Sequence, residues 1–312
     1  MKTKVFIDGH EGTTGLRIHE RLSQRQDIEL IPIADEKRKD PDAIRACMKD
    51  ADIVFLCLPD DAAAVKLAEG CHVRLIDTST GRRVAPGWTY GFPELSKEQA
   101  AAIAASDFVG NPGCHASGAI SILQPLTAVG LVPADYPVTA FSLTGYSGGG
   151  KKMIGQYEGE KSADLFAPRQ YGLGQQHKHL KEVVSICRLA QEPVFTPIVD
   201  DYYSGMEVMI PFFSHLLTKK VTAKDVWDIL AEHYEGCPFI HVLDFGTDKG
   251  GFISANEMSG YDDMEIVVTG NDHRIMVTSL FDNLGKGASG AAIQNMNLMM
   301  GIDAVTGLQL KH

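Results

Sequence analysis

Several patterns are missing from this chain, and each absence narrows what it can be. Its six cysteines (Cys47, Cys57, Cys71, Cys114, Cys187 and Cys237) form no C-x-x-C pair and no cysteine/histidine cluster at metal-ligand spacing. A structural zinc is therefore not expected, nor any resident metal, and the scatter suits a reducing compartment. No apolar run approaches the length of a membrane span, and no secretory h-region precedes the strand-like opening Met1 to Asp8. There is no internal repeat and no low-complexity tract. An excess of positive charge is also lacking: the formal net charge is -11. That argues against a nucleic-acid or anionic-membrane partner. The expectation is a cytoplasmic protein that takes a small molecule; an anionic one would need a local basic site.

What is present is globular. The 312 residues are 44% hydrophobic and 22% charged, enough for two cores. Lys4 to Asp8 reads as a buried strand, followed by Gly9-His10-Glu11-Gly12-Thr13-Thr14-Gly15 and a helix-like stretch carrying Leu16, Ile18 and Leu22. Strand, glycine-rich turn and helix form a phosphate-binding start of the dinucleotide type, spaced G-x-x-G-x-x-G instead of G-x-G-x-x-G. Glu29 to Ala34 predicts a second strand, ending at Asp35-Glu36-Lys37-Arg38-Lys39. An acidic residue there suits the ribose of NAD, whereas adjacent cations suit the 2′-phosphate of NADP. The three cations favour NADP, with Lys37 and Arg38 as contacts.

Asp52 to Pro59 and Val73 to Asp77 read as further apolar strands, the second ending in Thr78-Ser79-Thr80-Gly81-Arg82-Arg83. Continuous apolar strands alternating with helices indicate a parallel sheet covered on both faces. Ligands bind beyond the C-terminal ends of such strands, where Gly9, Asp35, Pro59, Ser79 and Cys114 fall. From Tyr136 on, strand-like segments (138–143, 207–211, 263–269, 274–281) outnumber helices, which are clearest at 178–189 and 223–234. That is the mark of a second α+β domain on a mainly antiparallel sheet. The last helix, 288–300, carries Ile293, Met296 and Met300 as a packing stripe.

Chemistry concentrates at Gly110-Asn111-Pro112-Gly113-Cys114-His115-Ala116-Ser117-Gly118. Pro112 and Gly113 break the chain between a strand and a helix, so Cys114 falls at the helix start. Helix dipole and unpaired N–H groups favour the thiolate there, and the same groups can hold an oxyanion. A cysteine nucleophile needs a proton donor and acceptor, for which His177 and His179, on a loop before a helix, are both candidates. Gly148-Gly149-Gly150 can form an anion nest, and Arg82 and Arg83 can hold a carboxylate or phosphate.

Taken in order, Gly9 to Gly15, Asp52 to Pro59, Leu75 to Ser79, Tyr90-Gly91-Phe92-Pro93-Glu94-Leu95, Asn111 to Cys114, Ser147 to Gly150, His177-Lys178-His179, Asp282 to Ala288 and Gln294 to Met299 form a specific series. The series resembles the short-form N-acetyl-γ-glutamyl-phosphate reductases of the aspartate-semialdehyde dehydrogenase superfamily, almost end to end. The likeness implies an NADP(H)-dependent enzyme of arginine biosynthesis that reduces an acyl phosphate, N-acetyl-L-glutamyl 5-phosphate, to its semialdehyde. It implies Cys114 as nucleophile and His177 as acid/base. Cofactor contacts would come from Gly9, Gly12, Thr13, Thr14, Gly15, Asp35, Lys37, Arg38, Pro59, Ser79, Ser147, Gly148 and Asn283, and substrate contacts from Arg82 and Asn111. It further implies a homodimer or homotetramer. Residues 1–115, completed by 285–312, would form the Rossmann-type NADP domain, and 116–284 the catalytic and dimerisation domain. In this chain His115-Ala116-Ser117 stands where the commoner long form has Tyr-Pro-Thr. Reductases of aspartyl or aminoadipyl phosphate would share the chemistry and differ in the substrate pocket.

Overall fold

The computed structural model describes residues 2–58 and 62–312. The chain divides into two compact units, Met1–Pro112 with Ala288–Leu308, and Gly113–Gly287 with Gln309–His312.

In the first unit the strands are β1 (Thr3–Asp8), β2 (Ile28–Leu30), β3 (Ile53–Leu56), β4 (Arg74–Asp77), β5 (Thr89–Tyr90) and β6 (Phe108–Gly110). They form one parallel sheet in the order β2-β1-β3-β4-β6-β5. Helices α1 (Thr13–Leu22), α2 (Pro41–Asp50), α3 (Ala62–Ala68) and α4 (Lys97–Ala105) connect them. Alternate strand residues feed two cores, which is why the strands read as unbroken apolar runs. Val5, Ile7, Phe55 and Ile76 pack with Ile18, Leu22, Ile293 and Met296, the last two from the closing helix Gly290–Met299. On the opposite face Phe6, Val54 and Leu75 pack with Ile44, Met48 and Ala68. The stripe expected of the last helix is thus a packing surface. Pro32 comes soon after β2, which is shorter than its apolar sequence predicts, because proline cannot donate to a ladder. β3 ends at Leu56, so Cys57 lies just past the strand, packed at the edge of that first core.

Arg74 ties this unit together. Its guanidinium donates to Ala104 O at 2.6 Å and Ser106 O at 2.7 Å, behind α4, and to Met299 O at the end of the closing helix. A cation on the orphan carbonyls of two helix ends satisfies them and opposes both dipoles.

The second unit holds β7 (Thr139–Gly145), β8 (Arg169–Gln170), β9 (Val194–Asp200), β10 (Met206–Phe213), β11 (Ile240–Val242), β12 (Met264–Asn271) and β13 (Arg274–Phe281). Their order is β11-β12-β13-β10-β7-β9-β8. The pairs β11·β12 and β7·β9 are parallel and the others antiparallel, a mixed sheet of mainly antiparallel character. One face carries α5 (Cys114–Ala128), α7 (Leu180–Cys187) and α8 (Ala223–His233); α6 (Gly150–Glu158) follows the triple glycine. Gly118 lets α5 sit on the sheet: a Cβ there would come within 2.4 Å of Val208 and 2.8 Å of Phe281. This close packing draws Cys114 and His115 into the second unit, where the sequence-based boundary left them with the first. The tail behaves likewise. Lys311 and His312 donate backbone N–H groups to Asp263, so 309–312 also join the second unit.

Replacing Arg74 with methionine keeps the stem and removes the donors. We expect the first unit to lose about 2–3 kcal/mol, the scale of charged hydrogen bonds left unmade. Urea denaturation followed in that unit checks it; an unchanged midpoint would contradict this account of Arg74.

Candidate active site

Cys114 is the first residue of α5, and Gly113, in extended conformation, is its N-cap. The chain arrives there four residues after β6 ends at Gly110. No side chain caps the helix. Ser117 N–H is the first to reach a carbonyl one turn back, that of Gly113, so the N–H groups before it point out of the helix start. Gly113 N–H is itself taken up, donating to Glu182 Oε2 at 3.0 Å. Glu182 is fully buried in the first turn of α7, so this bond fixes the start of α5 against the start of α7. On the other side, a Cβ on Gly287 would lie 2.9 Å from Cys114 Cβ, which is why glycine is required there.

Three histidine rings gather beside the cysteine. His115 lies 5.2 Å from His177 and 5.5 Å from His179, and those two are 4.7 Å apart edge to face. Phe195 closes the cluster at 5.3 Å from His115. His179 is buried, whereas His177 is only half-buried. The His179 backbone N–H donates to His177 Nδ1 at 3.3 Å. An accepting Nδ1 puts the proton of neutral His177 on Nε2. His115 is buried, with Nδ1 2.6 Å from Ser142 Oγ and Nε2 2.6 Å from Tyr171 Oη. Burial, with the neighbouring charges of His177 and Lys178, depresses its pKa to about 3, so the ring stays neutral. Burial and the proximity of Cys114 push the Tyr171 phenol well above its ordinary value.

Other residues singled out in the sequence fall into groups. Ser147, Gly148 and Asn283 come together within the second unit. Asn283 Nδ2 donates to Ser147 Oγ at 3.0 Å, its Oδ1 accepts from Gly205 N–H at 2.8 Å, and a Cβ on Gly148 would lie 3.3 Å from Nδ2. Within the first unit, Gly9 and Gly12 lie in the turn between β1 and α1, and Thr13, Thr14 and Gly15 open α1. Gly9 has φ +85°, and a Cβ on Gly15 would come within 2.4 Å of Gly9 O. Gly12 N-caps α1 without any side-chain hydrogen bond, a helix start suited to an anion. Asp35 and Lys37 bound a short 3₁₀ turn. Arg38 bridges Glu11 at 2.5 Å and Asp35 at 3.0 Å, linking the glycine turn to the residues after β2.

Ser79 N–H donates to Asp77 Oδ1 at 2.6 Å, which caps the end of β4. Arg82 is half-buried in the turn beyond it. Asn111 is buried inside the first unit, donating to Ala288 O at 3.0 Å and accepting from Asn295 Nδ2 at 3.1 Å. Its side chain thus has a packing part. Pro59 lies outside the described residues. Sequence reasoning passed over Glu182, Ser142 and Tyr171. Tyr171 and Ser142 come from strand regions 29 residues apart, and no local spacing signals their meeting across His115. Among the described residues no group of His, Cys, Asp and Glu could hold a metal ion.

Residues 114–283 match the family model described as semialdehyde dehydrogenase, dimerisation domain. The chain is 45% identical over 309 residues to N-acetyl-gamma-glutamyl-phosphate reductase of Brucella ovis, covering 96% of this chain and 100% of that protein. The Brucella suis biovar 1 protein of the same name is similar to the same extent, 45% over 96% of this chain and 100% of its own. Among solved structures, the fold is similar to aspartate semialdehyde dehydrogenase II of Vibrio cholerae, with a TM-score of 0.70 at 17% identity, over 96% of this chain and 99% of that one. The aspartate semialdehyde dehydrogenase of Francisella tularensis also gives 0.70, at 15% identity over 96% and 100%.

The state of His115 makes stability depend on pH. The unfolded chain takes up a proton near pH 6.5, whereas the folded chain resists until about 3. Stability from this group is therefore present above pH 6.5 and lost as pH falls toward 3. In His115→Gln the slope of unfolding free energy against pH in that window is shallower by up to one proton. Urea midpoints measured from pH 7 to pH 4 check it, and an unchanged slope would contradict a buried neutral ring.

Proposed function

The chain belongs to the N-acetyl-γ-glutamyl-phosphate reductase family, and from that premise we propose that it reduces N-acetyl-L-glutamyl 5-phosphate to N-acetyl-L-glutamate 5-semialdehyde and phosphate, in arginine biosynthesis, through a thioester on Cys114. The observation that carries this reading is Cys114 on the first residue of α5, beside the cluster containing half-buried His177. The Cys114 thiolate attacks the acyl carbon, the C–O bond to phosphate breaks, and a thioester remains. NADPH, when bound, supplies the hydride that the thioester carbon accepts. The resulting oxyanion is held by N–H groups at the start of α5 and by a hydrogen bond from His177 Nε2–H. The oxyanion then re-forms the carbonyl as the C–S bond breaks, which frees the aldehyde and restores the thiolate. His177 suits this part better than His179 because it is the more exposed and its Nδ1 is held by a backbone donor.

A nicotinamide cofactor fits the first unit. The uncapped start of α1 suits a pyrophosphate, and the close approach of Gly15 to Gly9 O leaves no room for side chains in the cradle. Gly9, Gly12, Thr13, Thr14, Gly15 and Ser79 would line it. We assign NADP over NAD because Arg38 is anchored at the end of the β2 region, with Lys37 beside it. A guanidinium already held by two carboxylates is oriented for a 2′-phosphate, in exchange for Asp35. Ser147, Gly148 and Asn283 would also contact the cofactor, and Arg82 a substrate anion. Asn111 supports this site through packing. The protein is a homo-oligomer, a dimer or tetramer. Phe141, Val194 and Phe213 stand exposed on the sheet of the second unit, an apolar surface suited to a second copy. No helix among the described residues is long and apolar enough to cross a membrane; we place the protein in the cytoplasm.

The reaction run backwards tests this. NADP⁺ and phosphate are offered with N-acetylglutamate semialdehyde or aspartate semialdehyde. We expect NADPH only with the acetylated compound, at a rate well above that with NAD⁺. Turnover of the aspartyl compound alone would overturn the substrate, and equal use of NAD⁺ would overturn the part given to Arg38.

A further inference from the structure

The loop that carries His177 is held to the sheet by a side chain. β8 and β9 pair antiparallel, with Arg169 opposite Val199 and Gln170 opposite Ile198, and Tyr171 N–H extends the ladder to Pro197 O at 3.0 Å. Two residues further along in that register, Leu173 would stand opposite Phe195. It does not, because Gly172 at φ +62° turns the chain away and leaves Leu173 exposed. The edge-facing N–H and C=O of Phe195 are met another way. Gln175 Nε2 donates to Phe195 O at 2.7 Å, and Gln175 Oε1 accepts from Phe195 N–H at 2.8 Å. One amide thus makes both bonds that a strand residue opposite Phe195 would have made. Phe195 also fixes which end of the amide is which, since its N–H can only donate and its C=O only accept.

Gln175 does this from a backbone conformation that favours glycine. Its φ is +54°, in the left-handed region, with its N–H closing the turn onto Gly172 O at 3.0 Å. Residues 172–176 are all exposed, so hydrogen bonds set the course of this loop where packing does not. Two residues on comes His177, whose ring lies 5.1 Å from that of Phe195. The Phe195 ring is also 5.3 Å from His115, the residue after Cys114. The amide therefore joins the histidine loop to the residue whose ring backs the cluster. We propose that Gln175 is a positioning residue: its amide stands in for a strand residue and sets the place of the His177 ring beside the start of α5. This rests on His177 serving the oxyanion formed at Cys114.

A double-mutant cycle on the whole protein tests it, read as NADPH production from N-acetylglutamate semialdehyde, phosphate and NADP⁺. Gln175→Met keeps the length of the side chain and removes both bonds. We expect kcat to fall about tenfold with KM within about twofold, the effect of a small misplacement of a catalytic group. Gln175→Gly suits the positive φ but lacks the amide, and should lose kcat in the same way. His177→Asn removes the ring and lowers kcat about a hundredfold. In that background Gln175→Met should change kcat by less than about twofold, because nothing remains for the amide to place. An unmoved kcat in either folded Gln175 variant, a loss carried by KM alone, or the same loss in both backgrounds would overturn the proposal. A failure of the underlying reading would look different: His177→Asn alone would turn over like the wild type.

Discussion

The proposed mechanism asks the start of α5 to favour a thiolate, and the backbone geometry there suits that before any side chain contributes. Gly113 is extended and Cys114 is helical, so the peptide N–H groups converge just where the helix dipole is positive. That arrangement holds only if the helix start cannot slide. Glu182 pins it through Gly113 N–H, and Gly118 lets the body of α5 lie close on β10 and β13. The histidine cluster, the tyrosine and the glycine at 287 are all placed relative to this one fixed point.

Two other cysteines sit in a different setting. Cys57, just past β3, is pushed up to about 12 by desolvation, and Cys187 on α7 is raised by burial too. Such thiols stay protonated and inert. Next to Cys114, buried His115 stays neutral and hydrogen-bonded. His115 gives up its charge and serves as a rigid link between two hydroxyls. In the proposed mechanism the reacting oxygen is met by His177, which is nearer the surface than His115.

Much of this was legible in sequence because it is local. The glycine turn after β1, the cysteine after Pro112-Gly113 and the His-x-His segment each state their geometry within a few residues. The strands Arg274–Phe281 and Thr3–Asp8 are visible for the same reason, each built round three consecutive apolar residues. The two-residue β5 and β8 carry too little pattern to stand out. The helix Pro41–Asp50 buries only Ile44 and Met48, a stripe too thin to read. The family resemblance implies Asn111 as a substrate contact, and only the fold reveals that Ala288 and Asn295 occupy its amide. Ser142 and Tyr171 reach the site from the second sheet and Glu182 from α7, and no spacing rule announces such contacts.

The central claim is a covalent one, and mass spectrometry reads it directly. The intact protein is mixed with N-acetylglutamyl phosphate in the absence of cofactor, quenched in acid and digested. We expect an N-acetylglutamyl adduct on the peptide carrying Cys114, discharged when NADPH is added before the quench. An adduct on another cysteine, or none from protein that turns over with NADPH present, would contradict the account.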